Sequence, residues 1–210
     1  MMSDYKERHE SVQHEQIFCG QYYDDMGCTG FLGDPSKDRI SVLMLGLSDG
    51  VALAPIGAST RVKSLLAVDL DETALVRSLN NQKRLSDNID FVSVVADAAD
   101  FLVASPDTYD VIIVDLYTQN GYVPIVFDHG FHQLLKSRLT PLGHVVFNGF
   151  GVPMNLDPFN GPTPQAWLSH CLNESWGDIH YLPHRRNATF WAPLLPGSFY
   201  APVTSSLWTS

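Results

Sequence analysis

Five short apolar runs, separated by helix-compatible stretches, constrain this chain more than any other feature. They are Ile40–Leu45 (ISVLML), Leu65–Val68 (LLAV), Phe91–Val95 (FVSVV), Val111–Val114 (VIIV) and His144–Phe147 (HVVF). Each is short and rich in β-branched residues, the pattern of strands buried on both faces of a parallel sheet. The stretches near Val51–Ile56, Glu72–Asn80, Ala98–Ala104 and Ile125–Leu139 read as helices. The β-α-β-α alternation predicts an α/β fold built on a doubly wound, mostly parallel sheet. Right-handed crossovers then place the strand carboxyl ends on one edge. Ligands of such sheets bind at that edge, where the strand order reverses.

What stands at those ends is the next constraint. Gly46 follows the first run, Asp69 the second and Asp115 the fourth, while Asp97 lies two residues past the third. One acid at a strand end is ordinary loop solvation, but a set on four successive ends fits a polar ligand lying across the edge. The first turn, Leu45-Gly46-Leu47-Ser48-Asp49-Gly50, has glycines that tolerate positive φ and let a ligand approach the backbone. It lacks the full G-x-G-x-x-G spacing, with Ser48 where a second glycine would stand. Asp49 would repel a pyrophosphate and suits a ligand carrying an ammonium or sulfonium group. Asp69 is placed to accept hydrogen bonds from ribose hydroxyls, with Leu70 beside it. Asp71 reads as the N-cap of the following helix. Asp97 is placed either to accept from an adenine amino group, with Ala98 beside it, or to cap its own helix.

In this order and spacing, GLSDG (46–50), VDLD (68–71), ADAADFL (96–102), YDVIIVDLYT (109–118) and VFDHGFHQLL (126–135) resemble the spermidine synthase family. That family lies within the class of S-adenosylmethionine-dependent transferases with a Rossmann-like methyltransferase fold. The resemblance covers about residues 39–148, and HRRNATFWA (184–192) resembles the family's last hairpin strand. It implies a seven-stranded sheet with an antiparallel last strand. It also implies S-adenosylmethionine, or its decarboxylated form, as cosubstrate. Gly46, Ser48, Asp49 and Gly50 fall in the glycine loop, whose acid meets the amine of the cosubstrate chain. Asp69 and Leu70 fall at the ribose site, and Asp97 with Ala98 at the adenine site. Asp115 matches the acid taken as base for an attacking amine. From the residues themselves, Asp115 is placed either to take a proton or to orient the cosubstrate's methionine chain or an acceptor hydroxyl, so it is both a catalytic and a cosubstrate-binding candidate. Tyr117, two residues on, is the second catalytic candidate, as a wall of the acceptor pocket. Two departures stand out. Thr118 occupies the position of the family's second, diamine-gripping acid, and the 38 residues before the sheet show no clear counterpart of its N-terminal β-domain.

The flanks and the overall charge narrow the reading. A formal net charge of −10 disfavours nucleic acid and anionic membranes. No apolar stretch reaches the ~20 residues of a membrane span. The N-terminus lacks the apolar core of a signal peptide, and the three cysteines, Cys19, Cys28 and Cys171, form no CxxC pair. The chain reads as a soluble protein of the reducing cytoplasm. Residues 1–38 read as a polar segment and candidate lid, helical in their first half and loop in their second. Residues 39–195 read as the S-adenosylmethionine-binding domain, and 196–210 as an extension. The aromatic, proline-rich C-terminal third, which holds Trp167, Trp176, Trp191 and Trp208, is suited to either core or a homo-oligomer interface. Arg185-Arg186 reads as a solvated turn, and Asn120-Gly121 as a turn in the loop after Asp115. His129 and His132 share a helix face but have no third ligand nearby, so helix packing accounts for them better than a metal. The leading expectation is methyl transfer to a small-molecule acceptor. The alternatives are aminopropyl transfer from the decarboxylated cosubstrate and a non-catalytic nucleoside-binding relative.

Overall fold

The computed structural model describes residues 17–28, 32–118, 121–150, 163–183 and 187–196. The first helix among the described residues is α1 (Tyr22–Gly27). Then follow β1 (Ile40–Leu45), α2 (Leu53–Ala58), β2 (Val62–Asp69), α3 (Glu72–Gln82), β3 (Asp90–Val95), α4 (Ala98–Ala104) and β4 (Tyr109–Val114). A small hairpin, β5 (Tyr117–Thr118) and β6 (Gly121–Tyr122), leads through a 3-10 turn, Pro124–Phe127, into α5 (His129–Ser137). The chain continues through β7 (Leu139–Phe150), α6 (Pro164–Trp176), β8 (His180–Pro183) and β9 (Asn187–Pro193).

Seven strands form one sheet in the order β3-β2-β1-β4-β7-β9-β8. All neighbours from β3 to β7 pair in parallel, and β9, last of the described strands, runs antiparallel to both β7 and β8. This is the mostly parallel, doubly wound sheet expected from the five apolar runs. β4 is buried at every position, as a strand covered on both faces should be. Alternate residues feed two cores. Leu43, Leu45, Ile112 and Val114 pack with Leu102, Phe131, Leu168 and Trp176 of α4, α5 and α6. Val42, Met44, Val111 and Ile113 pack with Met26, Leu53 and Ile56 of α1 and α2.

The helix expected over Ile125–Leu139 is divided. Asp128 has extended backbone and its carboxylate accepts from the Phe131 N–H, so it ends the 3-10 turn and caps α5. The expected loop in the second half of residues 1–38 contains a helix, α1. It is only six residues long and is held by packing: a Cβ on Gly27 would lie 2.2 Å from the Pro55 ring, so α1 rests directly on α2. The first half of that segment, to residue 16, lies outside the described residues. So do Asn120, Arg185, Arg186, Trp208 and residues 197–210 of the extension. Of the C-terminal aromatics, Trp176 and Phe190 are core, whereas Trp167 is exposed on α6. His132 is buried, its Nε2 at 2.9 Å from the Val126 carbonyl and its ring against Phe147, which is the packing role. No helix among the described residues is long and apolar enough to cross a membrane.

Candidate active site

The strand register sets the site. Leu45 pairs with Val68 and with Val114, Val114 with Phe147, and Asp69 with Val95. The next residues along, Gly46, Asp69, Asp115 and Asn148, therefore come level on one rim, with Asp97 just beyond β3. They line a crevice of about 420 Å³, the size class of small-molecule sites. The reversal point lies between β1 and β4, where the two halves of the sheet wind in opposite directions.

Gly46 is required by contact. Its φ is +89°, and a Cβ there would lie 2.1 Å from the Asp115 carbonyl oxygen. Its neighbour Ser48 also takes the left-handed conformation, φ +49°, without being glycine. That turn aims backbone donors at Asp69. The N–H groups of Leu47 and Ser48 donate to Asp69 Oδ2 (2.7 and 3.0 Å), and the Asp71 N–H donates to Oδ1 (2.9 Å). Asp69 thus stitches the β1 turn to the β2 turn and still lines the crevice, with lone pairs remaining for a hydroxylated ligand. Asp71 caps α3 through the Thr73 N–H. Asp97 is both cap and wall: its Oδ1 accepts from Ala99 and Asp100 N–H (2.8 and 3.2 Å), and the residue borders the crevice with Ala98 and the exposed Leu70.

Asp49 sits apart. Its carboxylate pairs with Arg77 of α3 at 2.9 Å on the surface. With Gly50 it borders a small adjoining recess rather than the main crevice.

Asp115 has the most unusual environment. Part of the residue faces the crevice, but protein atoms crowd its carboxyl group. That desolvation pushes its pKa up to about 6, aided by the charge on Asp69 and opposed by a hydrogen bond from Asn148. The Asn148 Nδ2 donates to Asp115 Oδ1 at 2.8 Å, and the Asn187 Nδ2 donates to Asn148 Oδ1 at 3.0 Å. Oδ1 is therefore occupied, leaving Oδ2 for a proton or an acceptor. Tyr117 donates its hydroxyl to the Asn148 carbonyl, and burial holds its pKa well above the usual phenol value. It is a fixed wall and donor rather than a base.

Sequence reasoning did not assign several of the lining residues to the site. Tyr22 and Tyr23 of α1 reach the crevice, and burial raises both phenol pKa values, Tyr23 to about 12. Asn148 and Arg77 are the other polar ones, and Leu116, Val123 and Ile125 are among the apolar ones. The only sequence signal was the Tyr22-Tyr23-Asp24-Asp25 cluster, which has no periodicity to assign it to a helix.

The chain is 26% identical over 145 residues to polyamine aminopropyltransferase 2 of Pseudomonas aeruginosa, covering 66% of this chain and 40% of that protein. It is 27% identical over 132 residues to spermidine synthase of Dictyostelium discoideum, covering 61% and 46%. It therefore spans less than half the length of these curated relatives. A spermidine synthase solved with the transition-state analogue AdoDATO superposes with a TM-score of 0.64 at 16% identity, covering 84% of this chain and 60% of that one. Human methyltransferase-like protein 13, solved with SAH, gives 0.66 at 19% identity, covering 88% and 86%. At such identities the superpositions establish the fold, which is the Rossmann-like methyltransferase sheet. The spermine/spermidine synthase domain matches residues 28–154. That span runs from the end of α1 past β7 and holds every crevice acid, and by it the chain belongs to the spermine/spermidine synthase domain family.

Proposed function

We propose that this chain transfers an aminopropyl group from decarboxylated S-adenosylmethionine to a small amine, with Asp115 receiving the proton. The observation that carries the proposal is Asp115 itself, a desolvated carboxylate with one free oxygen at the reversal point of the sheet. Membership of the spermine/spermidine synthase domain family favours aminopropyl transfer. The methyl-transfer expectation is supported only by the fold it shares with methyltransferases.

The residues fit an adenosyl sulfonium compound. Asp69 offers acceptor lone pairs to ribose hydroxyls, Leu70 and Ala98 give an apolar border for the base, and Asp97 has an oxygen that its cap does not use. Once bound, the compound supplies a carbon activated by its positive sulfur. The acceptor arrives as an ammonium ion and must lose a proton before its nitrogen has a lone pair to give. Asp115 Oδ2 is placed to take that proton, and its raised pKa narrows the gap to an amine. The amine then forms a C–N bond to the activated carbon as the C–S bond breaks. The bonding pair goes to sulfur, leaving neutral methylthioadenosine, and the proton stays on Asp115. Alignment of nitrogen, carbon and sulfur supplies much of the rate. Tyr22 and Tyr23 would cover the reacting centre from the N-terminal segment.

Titration calorimetry with the carboxylated and decarboxylated cosubstrates tests this. The decarboxylated form should bind at least about tenfold more tightly, a difference of about 1.4 kcal/mol. Methylthioadenosine should appear only when an amine is present. Preference for the carboxylated form, with S-adenosylhomocysteine as product, would overturn the proposal in favour of methyl transfer.

A further inference from the structure

Two asparagines stand in a largely apolar pair of strands. β7 runs through Val145, Val146 and Phe147 into Asn148, and β9 runs from Asn187 through Ala188, Thr189 and Phe190. Asparagine is depleted in strands, yet both side chains are buried here, Asn148 at 3% and Asn187 at 8% exposed. Asn148 pairs with Thr189 and Phe150 with Asn187, so the two asparagines are diagonal neighbours across the strand pair. Buried amides are costly unless hydrogen-bonded, and these are bonded to each other and to Asp115.

The main chain around Asn148 is held from two sides. The Tyr117 hydroxyl donates to its carbonyl, and Gln165 of α6, itself fully buried, donates Nε2 to the next carbonyl, that of Gly149, at 3.1 Å. What these bonds leave free is rotation of the Asn148 carboxamide, whose donor and acceptor ends have nearly the same shape. Its orientation matters to Asp115. With the donor end first, Nδ2 meets Asp115 Oδ1 at 2.8 Å. With the acceptor end first, two oxygens would face each other. Asn187 settles the choice, because its Nδ2 donates to Asn148 Oδ1 at 3.0 Å. That bond also polarises the Asn148 amide and makes its N–H a stronger donor. We propose that Asn187 is a positioning residue for Asp115: it keeps the Asn148 donor on Oδ1 and so reserves Oδ2 for the proton. The role of Oδ2 as proton acceptor rests on the transfer reading, whereas the hold on the carboxylate does not.

Carbon-13 NMR of the full chain, labelled at the aspartate side-chain carboxyls, reads the Asp115 titration directly, with Asp115→Asn to assign the signal. Asn187→Leu keeps the volume and removes the donor. Asp115, at about 6 in the parent, should then titrate about half a pH unit higher, because part of the hydrogen bond that opposes burial is lost. In an Asn148→Leu background the same change should move it by less than about 0.2, since Asn187 acts through Asn148. If Asn187→Leu does not fold, Asn187→Ala replaces it with the same expectations. Among the described residues, the titratable groups facing Asp115 are Asp69 from β2, Asp49 across the small recess, Tyr22 and Tyr23 from α1, and Tyr117 of β5. All of them are common to parent and variants. Methylthioadenosine release from decarboxylated S-adenosylmethionine, with 1,4-diaminobutane as the probe amine, is followed over the same pH range. In Asn187→Leu the rate should fall about threefold below about pH 6 and approach the parent's above about pH 8. An unmoved Asp115 titration, with any loss of rate equal at every pH, overturns the inference, and so does an equal shift in both backgrounds. The expected titration in a chain that releases no methylthioadenosine supports the positioning and overturns the transfer reading for this amine, so the two failures are distinct.

Discussion

Strand β4 carries an aspartate near each end, and the two are treated in opposite ways. Asp110, at the amino end, has a side chain only 5% exposed and is surrounded by donors. Lys37 Nζ reaches its Oδ1 at 2.5 Å and the Thr140 hydroxyl at 2.9 Å, while the Ser41 N–H and hydroxyl reach Oδ2 at 2.9 and 3.2 Å. Burial alone would raise its pKa, but Lys37, Ser41 and Thr140 together outweigh burial and lower it. Asp115, just past the carboxyl end, has one neutral donor, Asn148, and burial wins. The same residue type on one strand is an anchor at one edge and an unneutralised charge at the other. Perturbed carboxylates of the second kind concentrate at functional sites because the missing donor is what a ligand supplies.

Neutralising Asp115 should give the largest effect and sharpen the contrast most. Asp115→Asn keeps the acceptor for Asn148 and removes the proton acceptor, so turnover should fall about 10²–10⁴-fold while the cosubstrate still binds. The same change should stabilise the fold by about 2 kcal/mol at pH 8. The sign follows from the direction of the shift. A carboxyl group whose folded pKa is raised from 3.8 to about 6 contributes its stability below 3.8 and loses it as pH rises through 6. The stability gap between variant and parent should therefore close as pH falls from about 6 to below 4. His144 titrates in the same window but is common to both proteins: burial lowers its pKa to about 4, and it favours the folded state less as pH falls. Denaturant melts at several pH values read the gap directly. A variant no more stable than the parent at pH 8 would mean that Asp115 is not a strained charge.

Removing the anchor should act in the other direction. Asp110→Ala strips the counter-charge from Lys37 and the acceptor from the Ser41 N–H and Thr140 hydroxyl. It should cost about 3 kcal/mol at neutral pH, the scale of a broken buried ion pair. Lys37 is 39% exposed and recovers part of its hydration. Cosubstrate affinity of the folded fraction should be unchanged, since Asp110 lies at the edge opposite the crevice. Equal loss of affinity and stability would show that the two edges are coupled through β4.

The two edges also differ in how readable they are. The strands were legible because runs such as VIIV and ISVLML have no other stable place than a buried sheet. Asp69, Asp97 and Asp115 were legible because a strand end fixes where the next residue goes. The rest depends on contacts far apart in sequence. Asn148 and Asn187 are ordinary amides until the β7–β9 pairing brings them together across 39 residues. Asp49 looks like a ligand for a cation from its turn alone, and only the folded chain shows Arg77 already holding it. Tyr22 and Tyr23 belong to a helix too short to be stable alone, so no local pattern announces it. The division at Asp128 was hidden because its cap lies inside a stretch that reads as one helix.

The smallest effect concerns the strain that only the crevice edge carries. Ser48 is the one non-glycine residue with positive φ among the described residues, a conformation that costs an L-residue about 1 kcal/mol. The cost is incurred because that backbone turn aims the Leu47 and Ser48 N–H groups at Asp69. Ser48→Gly relieves the strain but gives the unfolded chain more freedom, which offsets part of the gain. The net should be a stabilisation of about 0.5 kcal/mol, measured by chemical denaturation, with cosubstrate affinity kept because the donors are backbone groups. Asp110 satisfies its acceptors with a lysine, a serine and a threonine in relaxed backbone, so no equivalent substitution near it should stabilise the fold. If Ser48→Gly destabilised instead, the serine side chain, and not only its N–H, would be part of what holds the turn against Asp69. The crevice edge would then be tied down by side chains as the Asp110 edge is.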